Sequence, residues 1–102
     1  MARYRRQQNE SEVYGKIIAR LLHAGAWENL QRVIVKLHPS DLADAVLVLS
    51  GADRDILLPR LLKNQKLGDT LLEMHEDLRI EVVASMSDDL IARLIVEMHS
   101  DD

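Results

Sequence analysis

The sequence contains no cysteine and no phenylalanine, and only two prolines and four glycines among its 102 residues. Without cysteine there is no disulfide framework, thiolate nucleophile or thiolate metal site, and nothing points to an oxidising compartment. The four glycines (Gly15, Gly25, Gly51, Gly68) are scattered, so no phosphate-cradling loop of either nucleotide type is present. No Ser or Lys stands in the Gly-containing context of a nucleophile with its base and oxyanion hole. The chain reads as a binding domain and not as an enzyme. Long apolar runs are also missing: every one falls well short of the ~20 residues that span a bilayer. The N-terminal Arg3, Arg5 and Arg6 are followed by polar residues and not by a signal-peptide core. The chain as given is therefore not inserted in a membrane, and the cytosol is its default location.

Apolar residues make up 47% and charged residues 29% of the chain, too apolar for intrinsic disorder and enough for one domain with a modest core. Charge is uneven along it. Residues 1–36 hold seven Lys or Arg against three Glu, whereas residues 37–102 hold six Lys or Arg against fourteen acids, leaving −8. Such a surface disfavours nucleic acid, whose phosphates need clustered Lys and Arg. It suits cations or a basic protein face, although on charge alone the favoured reading is a plain solvated surface that keeps the domain soluble and needs no ligand.

Apolar residues recur at helical spacing throughout. Val13, Ile17, Ile18, Leu21 and Leu22 mark a first helix that Gly25 closes, and Leu30, Val33, Ile34 and Leu37 mark a second. Pro39 opens a third at its first position, where the missing N–H costs nothing, and that helix runs to about Ser50. Ile56, Leu57, Leu58, Leu61 and Leu62 form a fourth stripe, expected to begin near Asp53 or Asp55, with Pro59 forcing a late start or a bend. Leu67, Leu71 and Met74 give a fifth helix, and Leu78, Val82, Val83 and Met86 a sixth. Leu90, Ile91, Leu94, Ile95 and Met98 give a seventh, with Leu94 at the centre of its buried stripe. Residues 1–12 are read as a flexible basic and polar leader and 13–102 as the folded domain.

The junctions repeat. Leu37-His38-Pro39-Ser40-Asp41, Met74-His75-Glu76-Asp77-Leu78 and Met98-His99-Ser100-Asp101-Asp102 each run from an apolar residue through His to polar residues with an acid. Helices of ~10 to 12 residues are marginal alone, so they are expected to stack in a superhelical array. The third copy breaks off at residue 102, and the native chain is expected to continue beyond it. His23, His38, His75 and His99 lack the i, i+4 spacing of zinc ligands and read as structural junction residues. Trp27 reads as a packing anchor between helices, and Asp41, Asp53, Asp77, Asp88 and Asp89 as capping acids.

The strings Leu37-His38-Pro39-Ser40-Asp41-Leu42-Ala43-Asp44, Leu67-Gly68-Asp69-Thr70-Leu71-Leu72-Glu73-Met74 and Met98-His99-Ser100-Asp101-Asp102 resemble the cytosolic N-terminal domain of MgtE-type magnesium channels. The likeness covers roughly residues 20–102. It implies a right-handed superhelix of about seven short stacked helices, at the cytoplasmic face of the membrane, ahead of a CBS domain pair and a transmembrane pore. It also implies that Mg2+ at the acidic interface with the CBS pair holds a homodimeric channel closed. By the same resemblance, Asp69, Asp101 and Asp102 are the candidate metal ligands. Mg2+ binding by this fragment alone would be weak and completed only by the adjacent domain. The rival reading is a metal-independent helical-repeat scaffold of the flagellar rotor switch kind.

Overall fold

The computed structural model describes the backbone of residues 2–100 and the side chains of residues 12–99. Within them the chain forms seven α-helices and no strand: α1 (Ala2–Ala24), α2 (Trp27–Lys36), α3 (Pro39–Val48), α4 (Gly51–Lys63), α5 (Leu67–Glu73), α6 (Glu76–Ser85) and α7 (Asp88–Ser100). The all-α class and the helix count are those expected. Helix α1 takes in the basic residues that the sequence reading set apart from the domain.

Five of the six connections use only two residues each, and four of these five are built alike. An apolar residue (Leu37, Leu49, Met74, Met86) leaves the helix with extended backbone, at ψ of 143, 149, 148 and 142° respectively. Its N–H still donates to a carbonyl of the helix it has left: Leu37 to Val33, Leu49 to Val46, Met74 to Leu71 and Met86 to Val83. A polar residue (His38, Ser50, His75, Ser87) then starts the next helix, and where it is serine its Oγ accepts from an early backbone N–H. Asp53 N donates to Ser50 at 3.2 Å and Leu90 N to Ser87 at 3.1 Å. The extended residue carries its apolar side chain inward, so each turn of the chain contributes to the core.

The remaining two junctions end in the left-handed region. At Gly25 (φ 65°), Ala26 N donates to Leu21 O and Gly25 N to Leu22 O, the paired bonds of a Schellman stop. Gln65 (φ 59°) makes the same pair, Lys66 N to Leu61 O and Gln65 N to Leu62 O, at a position where glycine would be unstrained.

The odd-numbered helices pack in order, α1 on α3, α3 on α5 and α5 on α7, while α4 lies against α1, α5 and α7. Helix α1 approaches α3 so closely that a Cβ on Gly15 would collide with Val48 Cγ2. The core they enclose includes Ile18, Leu30, Ile34, Leu42, Val46, Leu57, Leu61, Leu67 and Val82, all fully buried.

Several expectations change. Helix α4 begins at Gly51, earlier than expected, because Ser50 caps it. Pro59 lies inside its third turn, where the missing N–H leaves the Asp55 carbonyl without a helical donor. In the first stripe only Ile18 and Leu22 are buried, whereas Val13 and Ile17 are exposed. The close crossing at Gly15 rotates α1 so that the face through 15, 18 and 22 meets α3. Trp27 is 41% exposed and not a fully packed anchor.

Three cations hold α2, α3 and α5 by carbonyls at their C-terminal ends, where the helix itself supplies few donors. Lys66 Nζ donates to Ile34, Val35 and Leu37 at the end of α2. Arg54 donates to Val46 and Leu47 at the end of α3, and Arg79 to Leu71 and Met74 at the end of α5. Arg54 and Arg79 each stand four residues after the residue that starts their helix, the equivalent position in the repeat.

Thr70 is an exception to this pattern: it is 0% exposed, and among the described residues its Oγ1 has no hydrogen-bond partner. Thr70→Val keeps the branched shape and removes a desolvated hydroxyl. It is expected to stabilise the domain by about 1 kcal/mol, read as a higher urea midpoint at unchanged slope. A lowered midpoint would show that Oγ1 has a partner after all.

Candidate acidic site in the groove between α5 and α7

Helix α5 is anchored by Leu67 and Leu71, both buried, and turns Gly68 and Asp69 toward the C-terminal half of α7. A Cβ placed at Gly68 would sit 3.8 Å from both Leu94 Cδ1 and Met98 Cγ, so the two helices touch along this line. The groove beside that contact is lined by Gln65, Asp69, Leu72, Leu94, Glu97 and Met98. It encloses about 160 Å3, short of the roughly 300–1,000 Å3 of small-molecule pockets. Its chemistry is that of a shallow contact surface: an apolar floor with a carboxylate from each helix.

Of the predicted ligands, Asp69 is exposed on this groove, in the first turn of α5. Asp101 and Asp102 lie outside the described residues. Glu97, which the sequence reading passed over, is half-buried on the opposite wall. Its signal was available in principle, since Glu97 adjoins Met98 in the third of the quoted strings, but nothing in one sequence places α7 beside α5. Asp69 offers hard oxygen donors of the type Mg2+ takes, one or two at a time with its remaining waters retained, and Glu97 adds a second carboxylate that has one oxygen buried and is already engaged within the chain. They are a partial set: among the described residues no three His, Asp or Glu side chains gather as a metal cluster.

The other candidate residues have local roles. Asp53, read as a capping acid, is 8% exposed and accepts from His23 Nε2 on both oxygens, at 3.0 and 3.1 Å, tying α1 to α4. His38 and His75 occupy the starting positions of α3 and α6; the His75 side chain makes no cap hydrogen bond, whereas at α3 the His38 backbone N–H donates to Asp41 Oδ2 at 3.4 Å in a capping box. Asp89 pairs with Arg93 one turn on, at 3.0 Å. Among the described residues no helix is long and apolar enough to cross a membrane.

Comparison with known proteins gives one family. The model described as the MgtE intracellular N domain matches residues 37–102, from the Leu37-His38 junction through α3 to α7, and so takes in both walls of the groove. No curated protein and no solved structure gives a significant match.

Proposed function

The chain belongs to the MgtE intracellular N domain family, and from that membership we propose that it is the regulatory, Mg2+-sensing domain of a magnesium channel. The family is one of intracellular domains of magnesium transporters, and the transport path lies elsewhere in such proteins. The sensing step is assigned to the groove between α5 and α7. Asp69, with Glu97 across from it, would hold one side of a hydrated Mg2+, and carboxylates of an adjoining CBS pair, with Asp101 and Asp102, would complete the shell. Two acidic faces repel each other until a divalent cation lies between them, so Mg2+ stabilises the docked, closed arrangement over the released one.

The observation that carries this reading is the family match, which spans the groove. The exposure of Asp69 supports it, since a carboxylate facing solvent is available to a second domain. Apolar side chains left on the surface, such as Leu72 (66% exposed) and Val96 (68%), favour the rival, a scaffold that docks without metal.

The test uses the polypeptide that carries this domain together with its CBS and membrane parts. Limited proteolysis over a Mg2+ titration reads protection of the link after the domain. Asp69→Asn is expected to move the protection midpoint to several-fold higher Mg2+, and Asp101→Asn and Asp102→Asn to move it the same way, with the melt of each variant unchanged. Midpoints equal to the parent in all three variants would sink the metal reading and leave the scaffold.

A further inference from the structure

A different surface is formed where α4 meets the start of α2. Trp27, the only tryptophan, opens α2 with 41% of its surface exposed, and the Arg60 guanidinium lies over its ring, 4.0 Å from the centroid. Ile56, one turn before Arg60 on α4, is 43% exposed. One turn beyond, the Asn64 and Gln31 side-chain amides bond to each other in both directions, and Asn64 Nδ2 also donates to Arg60 O at 2.7 Å. The backbone carrying Arg60 is therefore held in register with α2.

Arg60 differs from the other cations that cross between helices. Lys66, Arg54 and Arg79 are engaged by carbonyls at helix ends, Arg54 by Glu81 as well. Among the described residues the Arg60 guanidinium has no hydrogen bond and no ion pair, only the indole beneath it. Stacking fixes the plane of the guanidinium, and among the described residues no acceptor takes its N–H edge. That is the geometry in which arginine takes a carboxylate on two parallel bonds. Lys63, exposed on the last turn of α4 that also carries Arg60, adds a second positive charge to this end of the helix.

We infer that Trp27, Arg60 and Ile56 form a docking surface for an acidic, amphipathic segment of a protein partner. A carboxylate of that segment sits on the Arg60 fork and its apolar residues cover Ile56 and the free part of the indole. Tryptophan and arginine are the residues on which binding energy concentrates in protein interfaces, and here they are already joined, so little ordering is needed on contact. The surface lies on α2 and α4, away from the α5–α7 groove, and its reading does not depend on Mg2+.

Trp27 is its own reporter. The domain is titrated with two synthetic amphipathic helical peptides of one apolar pattern, one with Asp and Glu on its polar face and one with Lys and Arg, and separately with inorganic phosphate and with phosphatidylglycerol vesicles. The acidic peptide is expected to shift Trp27 emission saturably and the basic peptide to leave it unchanged. Arg60→Gln should weaken the acidic peptide about tenfold or more, and Arg60→Lys, which keeps the charge but loses the fork, should recover only part of that. Amide NMR shifts at Gln31 and Asn64 give a second readout in variants whose folding is checked by circular dichroism. No response to the acidic peptide, equal affinity in Arg60→Gln, or saturation by phosphate or vesicles in its place would overturn the inference.

Discussion

Leu94→Asp is expected to cost at least about 4 kcal/mol, a large part of the roughly 5–15 kcal/mol that holds a domain of this size. Leu94 is 8% exposed and joins α7 to Gly68 of α5. Truncation to alanine removes that packing alone and should cost about 2–3 kcal/mol. Aspartate loses the same contacts and also leaves a carboxylate with little water, on the groove that already carries Asp69 and Glu97. The difference between the two variants in urea melts therefore isolates the charge. If Leu94→Asp melts with Leu94→Ala, the groove admits water freely and α7 is packed more loosely than its burial states.

That prediction rests on a position legible from spacing alone, and most of the fold was legible in the same way. Stripes of Leu, Ile and Val at helical period set seven helices, and Gly25 and Pro39 set two of their boundaries. Spacing fails where a tertiary contact decides which face turns inward. Val13 and Ile17 fit the period as well as Ile18 and Leu22 do, but the α1–α3 crossing at Gly15 selects the face through 18 and 22. The start of α4 was misplaced for a local reason, the serine cap of Ser50 outranking the acids that follow it. The groove was half legible. Asp69 came from the family strings, whereas Glu97 joins it only because α5 packs on α7, a contact no single helix encodes. Arg54, Arg79 and Lys66 were invisible as structural residues, since a surface cation and one that closes a helix end look alike in sequence.

Lys66→Met is expected to destabilise the domain by about 2–4 kcal/mol, far more than a surface lysine should cost. Lys66 Nζ reaches three carbonyls at the end of α2, Ile34 at 2.8 Å, Val35 at 2.9 Å and Leu37 at 2.6 Å. Hydrogen bonds from a charged donor contribute about 1.5–3 kcal/mol each, and the total stays below their sum because the outer carbonyls can turn to water. Lys66→Arg should recover less than half of the loss, since a planar fork does not fit a ring of three acceptors around one point charge. Lys63→Met, on the exposed last turn of α4, is the control and should change the melt by less than about 0.5 kcal/mol. The consequence reaches the groove because Lys66 immediately precedes α5, placed there by the left-handed turn at Gln65. Releasing it frees α5 from α2 three residues before Asp69. Hydrogen exchange should then quicken through the amides of α5 and the last turn of α2 while those of α6 keep their protection. In Mg2+ titrations Lys66→Met should weaken the response by misplacing Asp69, with a lowered melt, whereas Asp69→Asn weakens it with the melt intact. An unchanged melt in Lys66→Met would mean that water satisfies these carbonyls as well as the ammonium does, and that α5 is held in place by Leu67 and Leu71 alone.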